Sequence, residues 1–374
     1  AYDNFNISIQ RQLGNSMFAE IQYSGVMGEH LQTELLDYNQ ISPNYLTQFG
    51  TVAQSVTVLN SQITSATGKA SGVPLPYAGF TGTVAQALRP YPQYNVIDTY
   101  AGQGDHSGHS TYNAAILKLQ KRLSSGLTFT ASYVFSKLLT DSDSAWGTAY
   151  AADFFNRGLE KSIGQYDVTH DFKFAAVYDL PFGRGRQYLT KGPASWLIGN
   201  WRISTINLYA SGTPVGVSTS LTLPIYAPGD SGSTRVPAYV TSYNGWQPSY
   251  SGKFDPSVDT FFVPYCSSAA SSCAGPFPNQ GSGTALSGIG NETRYNPKLR
   301  LFPNLTENLS LTRSFPIRES IRVEFRAEAF NVFNRVRFGT GSTQLQSQTF
   351  GVLSGSGSQI NSPRNLQLAL KVYF

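Results

Sequence analysis

The chain has no long apolar run. No stretch approaches the ~20 consecutive apolar residues that a membrane-spanning helix needs, so a helical membrane protein is excluded. This absence leaves a membrane β-barrel possible, because a barrel strand crosses with ~9–11 residues that are apolar on one side only. Charge is also scarce. Asp, Glu, Lys and Arg make up 13% of the 374 residues, against ~25% in ordinary soluble domains.

Aromatic and turn-forming residues take the place of the missing charges. Phe, Trp and Tyr reach 13%, and there are 35 Gly and 20 Pro. This composition favours an all-β protein with long polar loops over a helical enzyme. The net charge of +5 does not indicate nucleic acid, because Lys and Arg are scattered singly rather than in basic runs between aromatics.

Cysteine is limited to Cys266 and Cys273, in a segment rich in Ser, Gly and Pro. A close pair in a polar loop favours a small disulfide in an oxidising compartment, whereas zinc would need more ligands. A secretory signal is also missing, since "AYDNFNISIQ" already alternates like a strand. We therefore expect residues 1–374 to be the C-terminal portion of a longer exported protein.

Nine segments alternate polar and apolar residues with the period of two that strands require. They are 5–13, 17–27, 111–123, 127–137, 169–180, 200–211, 305–315, 321–331 and 364–374. The sequence does not settle which side of 200–211 is the apolar one. A short helix is expected near 44–65.

The connections between these strands alternate between short and long. Such alternation places all short turns at one end of an up-and-down barrel and all long loops at the other, as in outer-membrane barrels. A soluble sandwich has no reason to segregate loop lengths in this way. We therefore predict an all-β, antiparallel up-and-down transmembrane barrel with long extracellular loops. About nine to ten strands are present, which predicts a partial barrel because bacterial single-chain barrels have even strand numbers.

The strand patterns predict which side chains face lipid and which face the lumen. In the strand 321–331 an unbroken apolar row opposes an alternating charged row, as a wall between lipid and water requires. The predicted lumen-lining residues are Arg322, Glu324, Arg326, Glu328, Lys118, Gln120 and Arg122. The predicted lipid-facing residues are Ile321, Val323, Phe325, Leu366, Leu368, Leu370, Val372 and Phe374.

Three charged residues occur at strand positions whose neighbours two residues away are apolar, so they belong to the apolar face. They are Lys121, Glu307 and Arg313. All lie near strand ends, so we expect them to snorkel towards the interface.

No arrangement of residues indicates catalysis. "GDHSGH", with Asp105, His106 and His109, lacks a supporting ligand cluster and reads as a polar loop before a strand. "PFGRGR" (181–186) does not follow the strand-to-helix pattern of a phosphate loop and reads as a turn. We predict no enzyme, no metal and no cofactor.

Six segments, in this order along the chain, resemble the Oar-like group of TonB-dependent outer-membrane transporters, whose members often carry a carboxypeptidase-regulatory-like domain. They are 6–31, 110–137, 166–186, 199–217, 322–339 and 363–374. The most specific is Arg326-x-Glu328-x-Phe330-Asn331-x-Phe333-Asn334.

The resemblance implies a 22-stranded barrel in the bacterial outer membrane, closed by an N-terminal plug that the inner-membrane TonB complex moves. No part of the chain matches a plug or a TonB box. The implied partners are outer-membrane lipid, the barrel-assembly machinery, TonB through upstream parts, and a small-molecule, glycan or peptide ligand. A C-terminal strand that ends on an aromatic, here Phe374, resembles the signal for barrel assembly.

Two other functions fit parts of the same pattern. A passive porin-like channel would have the same strands without a plug. A secreted all-β adhesin or glycan-binding module would use the many Tyr and Trp residues, and would bury the row of Leu366, Leu368 and Leu370 between two sheets.

Overall fold

The computed structural model describes residues 1–33, 36–99, 104–143, 152–217, 219, 223–228, 253–262, 288–318, 321–345, 347, 349–353 and 359–374. Its main feature is one large antiparallel sheet. The long strands are β1 (Tyr2–Leu13), β2 (Met17–Thr33), β3 (Asp105–Ser124), β4 (Leu127–Thr140), β6 (His170–Asp179), β7 (Trp201–Ala210), β10 (Asn304–Pro316), β11 (Arg322–Phe330) and β12 (Asn365–Tyr373). The short strands are β5 (Ser162–Ile163), β8 (Pro214–Val215) and β9 (Asn296–Arg300).

Each long strand pairs with the strands before and after it in the chain. The order is β1-β2-β3-β4-β6-β7-β10-β11-β12, with β5 on the side of β4 and β8 paired separately with β9. All these pairings are antiparallel. The up-and-down topology and the count of nine long strands confirm the prediction. The sheet is open, with β1 and β12 at its two edges.

The connections divide into two sets by position. At one end of the sheet, the short-connection end, residues 14–16, 125–126, 180–200 and 317–321 join the strands. At the other, the long-connection end, residues 34–104, 141–169, 211–303 and 331–364 do so. Connection 34–104 contains helices α1 (Tyr45–Gln48), α2 (Val52–Asn60), α3 (Ala66–Ala70) and α4 (Val84–Ala87), which confirms the helix expected near 44–65.

Two further helical turns lie at opposite ends of the sheet. A 3₁₀ turn (Arg157–Glu160) is in a long connection, and helix α5 (Pro193–Ile198) is in the short-connection set. Within the described ranges no helix is long and apolar enough to cross a membrane.

The register of the pairings keeps the polar rows of all strands on one face of the sheet and the apolar rows on the other. In the β10–β11 pair, Thr312 lies opposite Arg326, whereas Leu311 lies opposite Ala327. Because side chains alternate between faces, this pairing places polar residues together on one face and apolar residues on the other. The apolar face is widely exposed, with Ile7 at 71% and Leu368 at 75%.

Strand β7 mixes residue types on both faces, which explains why its sequence left the facing open. Arg202 shares the polar face with Ile206, and Trp201 shares the apolar face with Asn207. Only pairing with β6 and β10 fixes the orientation. The side chain of Ile206 is thus 64% exposed on a polar surface.

The first residues of β3 correct a prediction. Asp105, His106 and His109 lie in the strand rather than in a loop before it. The carboxylate of Asp105 accepts hydrogen bonds from Thr33 (2.6 Å) and Thr99 (2.7 Å), so its polar neighbours pair as a strand instead of turning away.

The hydrophobic core lies in the long connections. One buried cluster combines connections 34–104 and 211–303, and includes Leu59, Val84 and Ile225. A second combines 211–303 and 331–364, and includes Phe262 and Phe350. These connections therefore form a folded layer, which we call the loop cap.

Two asparagines turn the chain after β11. Asn331 and Asn334 have positive φ angles of 50° and 52°, which asparagine tolerates better than most residues. The side chain of Asn331 also accepts a hydrogen bond from the amide of Arg335 (2.8 Å) and donates to the carbonyls of Arg335 and Ser362. Both asparagines of the Arg326–Asn334 motif thus form turns.

We predict that Asn331→Ala will weaken this turn by about 1–3 kcal/mol, because it removes the hydrogen bonds and adds backbone strain. Asn331→Gly is the matched control, since it removes the same hydrogen bonds without the strain and should cost less. Hydrogen exchange of the Asn334 amide, whose bond to the Asn331 carbonyl both variants keep, measures the stability of the turn in each. Wild-type protection in the alanine variant would contradict the assignment.

Candidate functional site

The polar face forms a concavity where β7, β10 and β11 meet. It has a volume of ≈ 380 Å³ and lies beside β6. Its polar lining residues on this face are Arg202, Ser204, Asn308, Ser310, Thr312, Glu324, Arg326 and Glu328. Hydroxyl, amide, guanidinium and carboxylate groups thus line one surface, which can hydrogen-bond water or a polar solute.

Ion pairs order the charges of this surface. Arg202 Nε lies 2.6 Å from Asp179 Oδ1. Arg326 lies 3.1 Å from Glu324 and 3.7 Å from Glu328, so one guanidinium bridges two carboxylates along the same strand. Because these pairs are partly exposed, each contributes little to stability. Their effect is to fix an alternating pattern of charge.

The structure places the predicted lumen residues in two separate groups. Glu324, Arg326 and Glu328 line the concavity. Arg322 lies on the same face at the short-connection end, with its guanidinium 4.3 Å from the centre of the Tyr373 ring.

The second group lies on β3, several strands away. Lys118 and Gln120 share the polar face, and Lys118 Nζ is 3.4 Å from Glu20 Oε1. Arg122 lies beyond the regular β3–β4 pairing, where it is exposed. Register therefore joins the two groups on one face but does not bring them into contact.

Most of the predicted lipid-facing residues share the apolar face. Val323 lies opposite Val372, and Phe325 opposite Leu370. Leu366 and Leu368 continue this row with exposures of 68% and 75%.

Two residues of that set lie outside the strands. Ile321 precedes β11, and its carbonyl accepts the Ile317 amide at 2.9 Å within the turn. Phe374 follows β12 and is 99% exposed.

Two charged residues on the apolar face are buried instead of snorkelling. Glu307 is 3% exposed and accepts hydrogen bonds from Arg335 Nε at 2.8 and 3.0 Å. Arg313 is 6% exposed beneath α5. In both cases a partner from a neighbouring connection covers the charge, so the expectation of snorkelling is wrong for these two residues.

Buried ion pairs attach connection 141–169 to the loop cap, and we include this connection in the cap from here on. Arg294 Nη1 lies 2.8 Å from Asp143 Oδ2, and Arg294 Nε donates to the carbonyl of Glu160 at 3.0 Å. Arg300 Nη2 lies 2.7 Å from the fully buried Asp167. These contacts link connections 141–169 and 211–303. Removing one partner of such a pair leaves a buried charge unpaired, which lowers the free energy of unfolding by about 3–5 kcal/mol.

Connection 141–169 lies against the polar side of the sheet, where the Ser136 hydroxyl donates to the carbonyl of Val168 at 2.9 Å. Ala114 and Ser136, which pair across β3 and β4 on the polar face, are 2% and 6% exposed. Phe135, next to Ser136 but on the apolar face, is 50% exposed. The loop cap therefore covers the polar face at the long-connection end, whereas the apolar face next to it stays exposed.

The cap residues Arg294 and Arg300 were not among the predicted site residues. Their partners are more than a hundred positions away, and the long connections have no periodicity that could have indicated them. Within the described ranges no group of three or more His, Cys, Asp or Glu could hold a metal ion. The proposed disulfide between Cys266 and Cys273 lies outside the described residues.

Comparison with known proteins identifies the fold family. A family model for the outer membrane beta barrel domain matches residues 1–367. The chain belongs to this family. As an outer membrane beta barrel domain, it resides in the bacterial outer membrane.

Among solved structures, the outer membrane transporter YddB from Escherichia coli matches 100% of this chain and 32% of its own, with 8% identity and a TM-score of 0.43. BauA, the ferric preacinetobactin receptor from Acinetobacter baumannii, matches 100% of this chain and 29% of its own, with 8% identity and a TM-score of 0.41. The beta barrel domain described here thus spans less than a third of these proteins. No curated protein matches the chain.

A buried carboxyl makes the cap sensitive to pH. Glu292 is 2% exposed and accepts hydrogen bonds from Thr293 and Asn296. Burial raises the pKa of Glu292 to about 7. The raised pKa means that the folded cap prefers the protonated form. The stabilisation is complete below about pH 4.5 and is lost as the pH rises to about 7.

We therefore predict that the cap will open more easily as the pH rises from 4.5 to 8, by on the order of 3 kcal/mol. Hydrogen exchange of residues 288–300, corrected for the intrinsic rate, measures the opening. Glu292→Gln is neutral at every pH and should remove most of this dependence. An equal pH dependence in both proteins would show that another group is responsible.

Proposed function

We propose that residues 1–374 form the C-terminal portion of the barrel of a TonB-dependent transporter of the Oar-like group. The plug, the N-terminal domain and the signal peptide would lie upstream. The loop cap would capture a ligand on the extracellular side, and the polar face would line its passage through the lumen. The observation that carries the proposal is the position of the cap, which covers the polar face and leaves the apolar face exposed.

The two faces support a wall between lipid and water. The apolar face, with Val323, Phe325 and the β12 row, would contact acyl chains, and the charged face would contact water or solute. The short-connection end would be periplasmic, because outer-membrane barrels place their short turns there. Phe374 would lie at that interface and mark the last strand for the assembly machinery.

The open edges support a partial barrel. β1 and β12 end the sheet without pairing with each other, and a membrane barrel must close because lipid cannot satisfy unpaired backbone groups. Further strands would pair with these edges in the whole protein. We also propose that the chain has no enzymatic activity of its own, since the charged groups of the concavity, Arg202, Glu324, Arg326 and Glu328, are held in ion pairs.

Of the two alternatives, the adhesin fits less well. It needs Leu366, Leu368 and Leu370 inside a closed two-sheet core, whereas these residues are 68–75% exposed on a single sheet. A passive porin shares the wall and the lumen, so it differs from the proposed function only in its energy requirement.

The test is solute depletion by the native bacterium. Cells that carry the full-length protein, and cells that lack its gene, are grown in a complex medium whose solutes are followed by mass spectrometry. At least one solute should be depleted only by cells with the protein. Because the proposed transporter depends on the TonB complex, cells that lack TonB should no longer deplete this solute.

Depletion that depends on the gene but continues in cells without TonB would support the porin instead. No gene-dependent depletion of any solute would argue against transport. A variant with Arg294→Met should lower depletion by loosening the cap, while the amount of protein in the outer membrane serves as the control.

A further inference from the structure

The connection 180–200 differs from the other three at its end of the sheet because it contains a helix. Gly192, with φ of 86°, turns the chain into α5, and Pro193 occupies the first helical position, where its missing N–H is not needed. At the other end of α5, the amide of Gly199 donates to the Ser195 carbonyl at 3.0 Å. The connection therefore contains a defined helix with specific ends and is more than a simple turn.

Hydrogen bonds place α5 on the apolar side of the sheet. Arg313 and Trp201 lie opposite each other on that face. Arg313 Nη1 donates to the carbonyl of Leu197 at 2.7 Å, and Nη2 donates to the carbonyl of Trp196. Trp201 Nε1 also donates to the Leu197 carbonyl, at 3.2 Å. The last turn of the helix is thus fixed against the outer wall.

These contacts explain how an arginine can lie on an apolar wall. Its guanidinium carbon is 4.4 Å from the centre of the Phe315 ring and 5.4 Å from that of Trp201. The carbonyls at the end of α5 complement its charge, since the C-terminal end of a helix is negative. No carboxylate within the described residues pairs with it.

The apolar side chains at the C-terminal end of α5 are largely exposed, although the Trp196 ring also lies 5.9 Å from the Arg313 guanidinium. Trp196, Leu197 and Ile198 are 71%, 64% and 46% exposed. Three apolar residues in a row would be costly in water, but they continue the apolar wall beyond the strand ends. The connection has no Asp or Glu, and besides Arg186, which pairs with Asp179 at 3.3 Å, it has two cations, Arg184 and Lys191.

We propose that α5 is an interfacial membrane anchor, with Trp196, Leu197 and Ile198 seated among the phospholipids of the periplasmic leaflet. The inference rests on the lipid-facing wall of the proposed function and deepens it. Continuity with that wall gives the depth, because a helix attached to its short-connection edge lies at the level of the headgroups. The basic connection complements the headgroup phosphates.

The test is depth-dependent fluorescence quenching in the full-length protein. Cys266 and Cys273 are replaced by Ser, and a single Cys carries the fluorophore NBD at position 197, 309 or 258. The protein is reconstituted into phosphatidylethanolamine and phosphatidylglycerol vesicles. These contain phospholipids with a nitroxide either near the headgroup or deep in the acyl chain.

Leu197→Cys reports on α5, Leu309→Cys on the middle of the apolar face, and Val258→Cys on a long connection, where the residue is 79% exposed. We expect the label at 197 to be quenched at least twofold more by the shallow nitroxide than by the deep one. The label at 309 should show the reverse order, and the label at 258 should be quenched by neither.

The two control positions separate this inference from the proposed function. If 309 is quenched but 197 is not, α5 lies outside the bilayer and the anchor is wrong, while the lipid-facing wall stands. If neither is quenched, the wall itself fails. A label at 197 that is shielded from water but not quenched by either lipid would indicate a protein partner and would overturn the anchor.

Discussion

The strict alternation of side chains along each strand is the constraint on which the structure depends. Every long strand must present one row to an apolar surrounding and the other to water, and all nine strands must keep the same choice. A slip of one residue in any pairing would exchange the two rows of that strand. Register therefore determines where each charge lies, and the few buried exceptions, Glu307 and Arg313, each require a covering partner.

The sheet has no buried core of its own, so its folding logic differs from that of a soluble domain. Buried apolar clusters and buried ion pairs lie in the loop cap, which ties together connections that are distant in sequence. In the proposed function, lipid would take the place of a core for the apolar face. Two parts of the molecule are thus stabilised in different ways. The stability of the sheet depends on the medium around its apolar face, whereas the loop cap is packed like an ordinary protein interior.

Much of the wall could be predicted from the sequence, because a period of two is a local signal. Strand existence, strand order and the facing of Glu324, Arg326 and Leu368 followed from it. The facing of β7 did not, since both of its rows are mixed. The cap ion pairs of Arg294 and Arg300 depend on contacts between distant loops, and helix α5 is too short for periodicity to indicate it. These features required the tertiary structure.

The most direct test of the two-faced wall is a spin-label accessibility scan along β11, from Arg322 to Phe330, in the reconstituted full-length protein. Collision with oxygen, which concentrates in lipid, and with a water-soluble nickel complex is measured at each position. We predict two profiles of period two that are out of phase by one residue, with oxygen highest at Val323, Phe325 and Ala327. Profiles that rise and fall together would contradict a wall between lipid and water.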